Sequence, residues 1–269
     1  MKKTAVYLLV ILSFLMAGCY LPNQPGPLPR GINEIRYDTN VNIMGVVRND
    51  SVPGQSFVFM INCFDIEENA FVDTSNIKSA IVKFIEEQTG YEYQFTPDTT
   101  LSDTLPYVKF ISPPSFRPIA NTRYFLDVTF PNGAKIIDSA MVPDKPQLSI
   151  NDVILQDNTL LIRYSPPIHS AYTQIYISPD IIEDNPLQIS YTDTSQIILR
   201  ANLKASASNL QGKLRFDIYA FDENYLKYQK ATVNLFFHQY NPTISTVDSA
   251  YGCFFAMSDT SITFDISAK

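Results

Sequence analysis

The sequence predicts an all-β protein built as two tandem β-sandwich domains, with one short helix near the C-terminus. Three observations predict it. The composition is that of half-buried pleated surfaces: 18 Phe and 16 Tyr make up the whole aromatic content, Trp is absent, and only 17% of residues are charged. Short apolar or alternating runs recur along the chain, separated by turn residues drawn from 18 Pro and 9 Gly. A proline-bracketed charged stretch, Pro143-Asp-Lys-Pro146, divides these runs into two series. With 45% apolar residues the chain has ample material for packed cores and is not compositionally disordered.

The first element is a leader over residues 1–18. Lys2 and Lys3 form a cationic start, Thr4 to Met16 is almost uninterruptedly apolar, and Ala17-Gly18-Cys19 closes it. That layout is a cleaved secretory signal rather than a spanning helix. Its Met-Ala-Gly-Cys ending resembles the lipobox of bacterial lipoproteins, which makes Cys19 the expected lipid anchor; an ordinary secreted protein with a nearby cysteine is the rival. Several acyl chains on one residue hold firmly, because each buried CH₂ contributes about 0.8 kcal/mol. Residues 19–35 follow as a tether, with Pro22, Pro25, Pro27 and Pro29 favouring extended backbone.

The N-terminal sandwich is expected over 36–143. Asn42–Arg48 and the strongly apolar Ser56–Phe64 are its first strands. Ala80–Glu86 and Tyr91–Phe95 flank Thr89-Gly90, a hairpin signal. Tyr107–Ile111, Arg123–Phe130 and Lys135–Val142 complete the series, the last two joined by Pro131-Asn-Gly133. The C-terminal sandwich is expected over 147–269. Its strands are Gln147–Leu155, Thr159–Tyr164, Thr173–Ser178, Gln196–Arg200, Lys213–Ala220, Gly252–Ala256 and Ser261–Ile266. Between them, residues 222–237 read as a helix capped by Asp222, with a strand over 232–237 as the rival.

Four segments in order, AIVKFIEEQTGYEYQF, NTRYFLDVTFPNGAKIIDSAMVP, FDENYLKYQ and NPTISTVDSAYGCFFAMS, resemble a Bacteroidota outer-membrane lipoprotein family catalogued as a domain of unknown function. The resemblance rests on Ala80, Val82 and Gly90; on Tyr124, Leu126, Val128 and Gly133 with Val142-Pro143; on Glu223, Tyr225 and Tyr228; and on Gly252, Phe254 and Ala256. Where that family has consecutive glycines in its closing strand, this chain has Tyr251-Gly-Cys. The resemblance implies an immunoglobulin- or transthyretin-like first domain, a fibronectin type III-like second one, outer-membrane anchorage and a TonB-dependent receptor as partner. It supplies no catalytic residue.

Net charge is −7, and loss of Lys2 and Lys3 with the leader makes the remainder more acidic, which disfavours nucleic acid as a partner. Cys63 and Cys253 lie in apolar strand-like runs and read either as two buried thiols or as a disulfide, which an exported compartment permits. The two histidines, His169 and His238, share no ligand spacing, and no zinc cluster, phosphate loop or dinucleotide fingerprint is present, so no metal or cofactor is expected. Of the acids, Glu67-Glu68, Glu86-Glu87 and Asp180…Asp184 stand out, and none carries a motif. Tyr225, Tyr228, Phe236, Phe237 and Tyr240 read as packing residues rather than a ligand platform. The leading functional expectation is therefore a noncatalytic envelope lipoprotein, a binding or accessory module. A fimbrillin-like subunit assembling by strand addition is the alternative, and a carbohydrate-active enzyme with two acids brought together from distant strands the weaker one.

Overall fold

The computed structural model describes residues 41–50, 55–62, 74–100, 107–192, 195–204, 212–233 and 245–266. Cys19, Cys63, His238, Glu67, Glu68, Phe236, Phe237 and Tyr240 lie outside them. The fold is all-β. Among the described residues there are two helices, α1 (Ser75–Lys78) and α2 (Glu223–Val233).

The first series gives β1 (Val41–Asn49), β2 (Phe57–Asn62), β3 (Ile81–Glu86), β4 (Glu92–Pro97), β5 (Tyr107–Ile111), β6 (Arg123–Thr129) and β7 (Lys135–Met141). The second gives β8 (Val153–Gln156), β9 (Thr159–Tyr164), β10 (Tyr172–Ser178), β11 (Leu187–Ser190), β12 (Ile197–Asn202), β13 (Gly212–Phe221) and β14 (Tyr251–Ile266). Eleven strands hydrogen-bond in the order β11-β10-β13-β14-β1-β2-β5-β4-β3-β6-β7, and β12-β9-β8 form a separate sheet. The eleven-stranded ladder folds back on itself where β4 and β5 share only a short pairing, Thr96 with Ile111 and Pro97 with Phe110.

Two sandwich cores result, built on alternation. In the first, Ile43 and Val47 of β1, Val58 and Met60 of β2, Phe84 of β3, and Tyr124 and Leu126 of β6 meet Phe254 and Ala256 of β14. In the second, Ile175 and Ile177 of β10 and Phe216 and Ile218 of β13 pack against Leu160, Ile162 and Tyr164 of β9, with Ile262 and Phe264 of β14 alongside. The even-numbered residues of β14 thus serve both cores from one face of the sheet. Its odd residues Cys253, Phe255 and Met257 face the other way, into a third cluster with Phe221, Tyr172 and Leu226 beneath α2.

β14 departs from expectation. Two strands with a polar break between them are in fact one, paired in parallel with β1 through Asn42–Asn49 and antiparallel with β13 through Gly212–Phe221. The polar residues that read as a break are satisfied within the sheet: Ser258 is fully buried and its hydroxyl donates to the Pro143 carbonyl at 2.6 Å. The strand expected from Gln147 begins only at Val153, because Ser149 accepts from the Asn151 N–H and turns the chain through a 3-10 turn, Ile150–Asp152. β11 and α1 carry too little periodicity to be read from sequence.

Arg36–Lys269 forms one compact unit. The Pro143–Pro146 connection is fastened from both sides: Asn121 donates to Asp144 at 2.7 Å, and the Asp144 N–H donates to the Ile168 carbonyl at 3.1 Å. Val247, Ala250, Phe254 and Ala256 all lie in the first core, so the C-terminal segment expected in the second sandwich contributes to both.

Candidate functional site

Among the described residues, those singled out by sequence form no His/Cys/Asp/Glu group that could hold a metal ion. His169 sits exposed in the turn after Pro167 at φ 61°. Glu86 is buried and accepts from the Tyr93 hydroxyl at 3.4 Å, while exposed Glu87 approaches Arg123 at 3.6 Å. Asp180 pairs with Lys204 at 2.6 Å and accepts from Asn185, and these bonds, led by that to Lys204, hold its carboxyl below the usual range. Glu183 accepts from Asn202 at 3.2 Å. Each of these acids has its own structural partner. Cys253 is a free, buried thiol, pushed up to about 12 first by burial and then by Asp222 and Asp138; its sequence-level partner Cys63 is outside the described residues.

Two other places have functional geometry. The first is the seam where α2 meets β7 and β14. Asp222 caps the helix, only 3% exposed. Its Oδ1 accepts from the Tyr225 N–H at 3.2 Å and its Oδ2 from the Ala256 N–H at 3.1 Å, and the Met141 N–H of β7 also donates to it. The carboxyl therefore ties three elements together. Asn224 repeats the tie with its amide, which donates to the Ser139 carbonyl at 2.8 Å and the Phe254 carbonyl at 2.9 Å. Beside them is Asp138 of β7. Its Oδ1 accepts from the Ser139 N–H at 2.7 Å, and its buried Oδ2 has no hydrogen-bond partner among the described residues. Burial pushes Asp138 up to about 7, opposed by the Ser139 N–H; Asp248 raises it further and Lys227 lowers it. Asp222 is pulled both ways: burial and then Asp138 raise its carboxyl, and its three N–H donors lower it. Asp222 was legible as a cap. Asp138 was not identified, although it occupies the same face of β7 as buried Ile136 and Ala140, and a carboxylate at a core position was the available signal.

The second place is the outer face of β11, β10, β13 and β14, beyond the edge of α2. Register brings Gln188, Gln174, Tyr219 and Asp259 into one row across these strands, and Tyr176, Asp217 and Ser261 into the next. Tyr176 is 41% exposed and meets Tyr219 edge to face at 5.7 Å. Arg215 holds Asp217 at 2.8 Å, and the Tyr172 hydroxyl donates to Gln188 at 2.8 Å. Such a surface offers an aromatic ring for stacking, with amide, carboxylate and guanidinium groups beside it for hydrogen bonds. The aromatics beneath α2 are different: Tyr225 stacks on Phe221 at 4.1 Å and contacts Phe255, which is packing.

No protein-family model matches the chain, and no curated protein matches its sequence. Among solved structures, it is similar to the crystal structure of pullulanase complexed with maltotriose from Anoxybacillus sp. LM18-11, at 7% identity and a TM-score of 0.25. The match covers 67% of this chain and 24% of that one, so the chain spans about a quarter of its length. A likeness at that level carries no argument about fold or function.

Proposed function

We propose that the protein is a noncatalytic binding module of the bacterial outer membrane, anchored through lipid on Cys19 and working with an envelope partner such as a TonB-dependent receptor. The anchor is supported by the order of cationic, apolar and small residues before Cys19. The binding role is supported above all by the outer face around Tyr176 and Tyr219, where an exposed ring lies among paired polar groups on a rigid sheet. The immunoglobulin-like and fibronectin-like character of the two sandwiches belongs to the same proposal and rests on the four resembling segments.

The test has two arms. Cys19→Ser moves the protein to the soluble fraction and removes acyl mass from the N-terminal peptide; unchanged partitioning overturns the anchor. Tyr176→Ala, made in an exposed position, abolishes co-purification of the envelope partner from solubilised outer membranes while leaving the thermal melt unchanged. Full retention of the partner overturns the assigned face.

A fimbrillin-like role has one observation in its favour. Among the described residues, β11 ends the large sheet with pairing on one side only, whereas the β7 end is covered by Asp248 and Asn224. Strand addition at β11 would yield filaments, which Ser190→Pro would prevent: the Tyr191 N–H donates inward to the Ala171 carbonyl, so the neighbouring Ser190 N–H faces the open edge.

A further inference from the structure

We propose that Asp138 and Asp222 form a proton-operated latch in which neutral Asp138, beside ionised Asp222, keeps α2 fastened over the seam between β7 and β14, and loss of the Asp138 proton releases the helix.

The geometry assigns the two roles. Both oxygens of Asp222 accept backbone N–H groups, and it lies at the N-terminus of an eleven-residue helix, where negative charge is favoured. Asp138 has one oxygen engaged and the other buried without a partner among the described residues, so the proton belongs there. An ionised Asp138 would leave a second negative charge against Asp222 in a site from which water is largely excluded.

The groups around the pair do not relieve that charge. On the segment preceding β14, Asp248 adds negative charge. On β14, Cys253 is a neutral thiol held well above its usual range. On β6, Arg123 donates to the Ser139 hydroxyl and approaches Glu87. On α2, Lys227 is the cation that favours ionised Asp138, and it is shared with Glu223 at 3.1 Å. Once Asp138 ionises, relief comes from admitting water. The contacts that must part are those of Asp222 and Asn224 with β7 and β14, which join the helix start to the sheet.

The sign follows from proton counting. A carboxyl that binds its proton more tightly when folded destabilises the fold as pH rises from the unfolded-chain value towards the folded one, and the loss levels off above it. The seam is therefore firm in mild acid and looser above neutrality.

The experiment is amide hydrogen exchange of the full mature chain, following Tyr225–Lys230 and corrected for the intrinsic pH dependence of exchange. The local opening constant rises about tenfold or more between about pH 5.5 and about pH 8.5. Asp138→Asn, which is neutral at every pH, removes the rise; a flat wild-type profile, or an undiminished rise in Asp138→Asn, overturns the latch. Two exposed variants keep the test decisive if Asp138→Asn folds poorly. Asp248→Asn moves the midpoint to lower pH and Lys227→Gln moves it to higher pH, and failure of either shift also overturns it.

Discussion

Gly252 shows how one backbone angle sets the course of the last strand. Its φ of 113° is open to glycine and rare for other residues, and a Cβ there would overlap the Ile43 carbonyl of the neighbouring strand. Two residues on, Phe254 fills the first core so closely that a Cβ on Gly45 would stand 2.7 Å from its ring. The Gly252, Phe254, Ala256 pattern thus has a packing reason: close approach, a large core side chain, then a small residue whose N–H is free to reach Asp222. Gly252→Ala is expected to cost about 3 kcal/mol or more, combining strain with overlap, and to lower the Tm visibly in a tyrosine-fluorescence melt. A Tm within a degree or so of wild type would contradict that packing. For Cys253, peptide mapping under non-reducing conditions is expected to recover the unbridged thiol, since the residue is free and enclosed; a mass for a Cys63–Cys253 pair would refute it.

At the scale of elements, the helix α2 is held by its first turn. Leu226 and Tyr225 bury against Phe221 and Phe255, but the directional ties are the carboxyl of Asp222 and the amide of Asn224. Asn224→Ala withdraws both donors to the Ser139 and Phe254 carbonyls, and a loss of about 1–3 kcal/mol is expected in denaturant unfolding. Asn224→Asp should cost at least as much, because it replaces donors by a charge beside Asp138 and Asp222. An Asn224→Ala variant as stable as the parent would show that the apolar contacts alone seat the helix. These elements also show what a sequence discloses. The β3–β4 hairpin is legible because Gly90, at φ 67°, sits in a turn between two alternating runs. The helix is legible from Asp222 and the stripe that follows. β14 is only half legible: Gly252 to Met257 is apolar on both faces, as a central strand should be, but Ser258 and Asp259 look like a turn until Pro143 and β13 are there to receive them. The seam is less legible still, because Asp138 and Asp222 are 84 positions apart in the sequence and meet only through the topology.

At the scale of the whole molecule, β14 decides how the two halves fold. It lies between β1 and β13, and through its even-numbered residues it completes the first core with Phe254 and Ala256 and lines the second with Ile262 and Phe264. A fragment ending at Pro146 therefore lacks part of its own core. In that fragment β1 loses its parallel partner and becomes an edge, with unpaired backbone along Asn42–Asn49. The cavity left by Phe254 alone is worth about 3–5 kcal/mol, a large share of the roughly 5–15 kcal/mol by which domains are stable. The fragment 36–146 is accordingly expected to show no cooperative melt and poor amide dispersion by NMR. A peptide spanning 245–266, supplied in trans, should restore dispersion to the β1 and β2 resonances. For the intact chain the same sharing predicts one calorimetric transition, with van't Hoff and calorimetric enthalpies in agreement, because neither core can lose β14 without opening the other. Two well-separated transitions, or a fragment 36–146 that folds unaided, would show that the strand joins two independent domains rather than completing both.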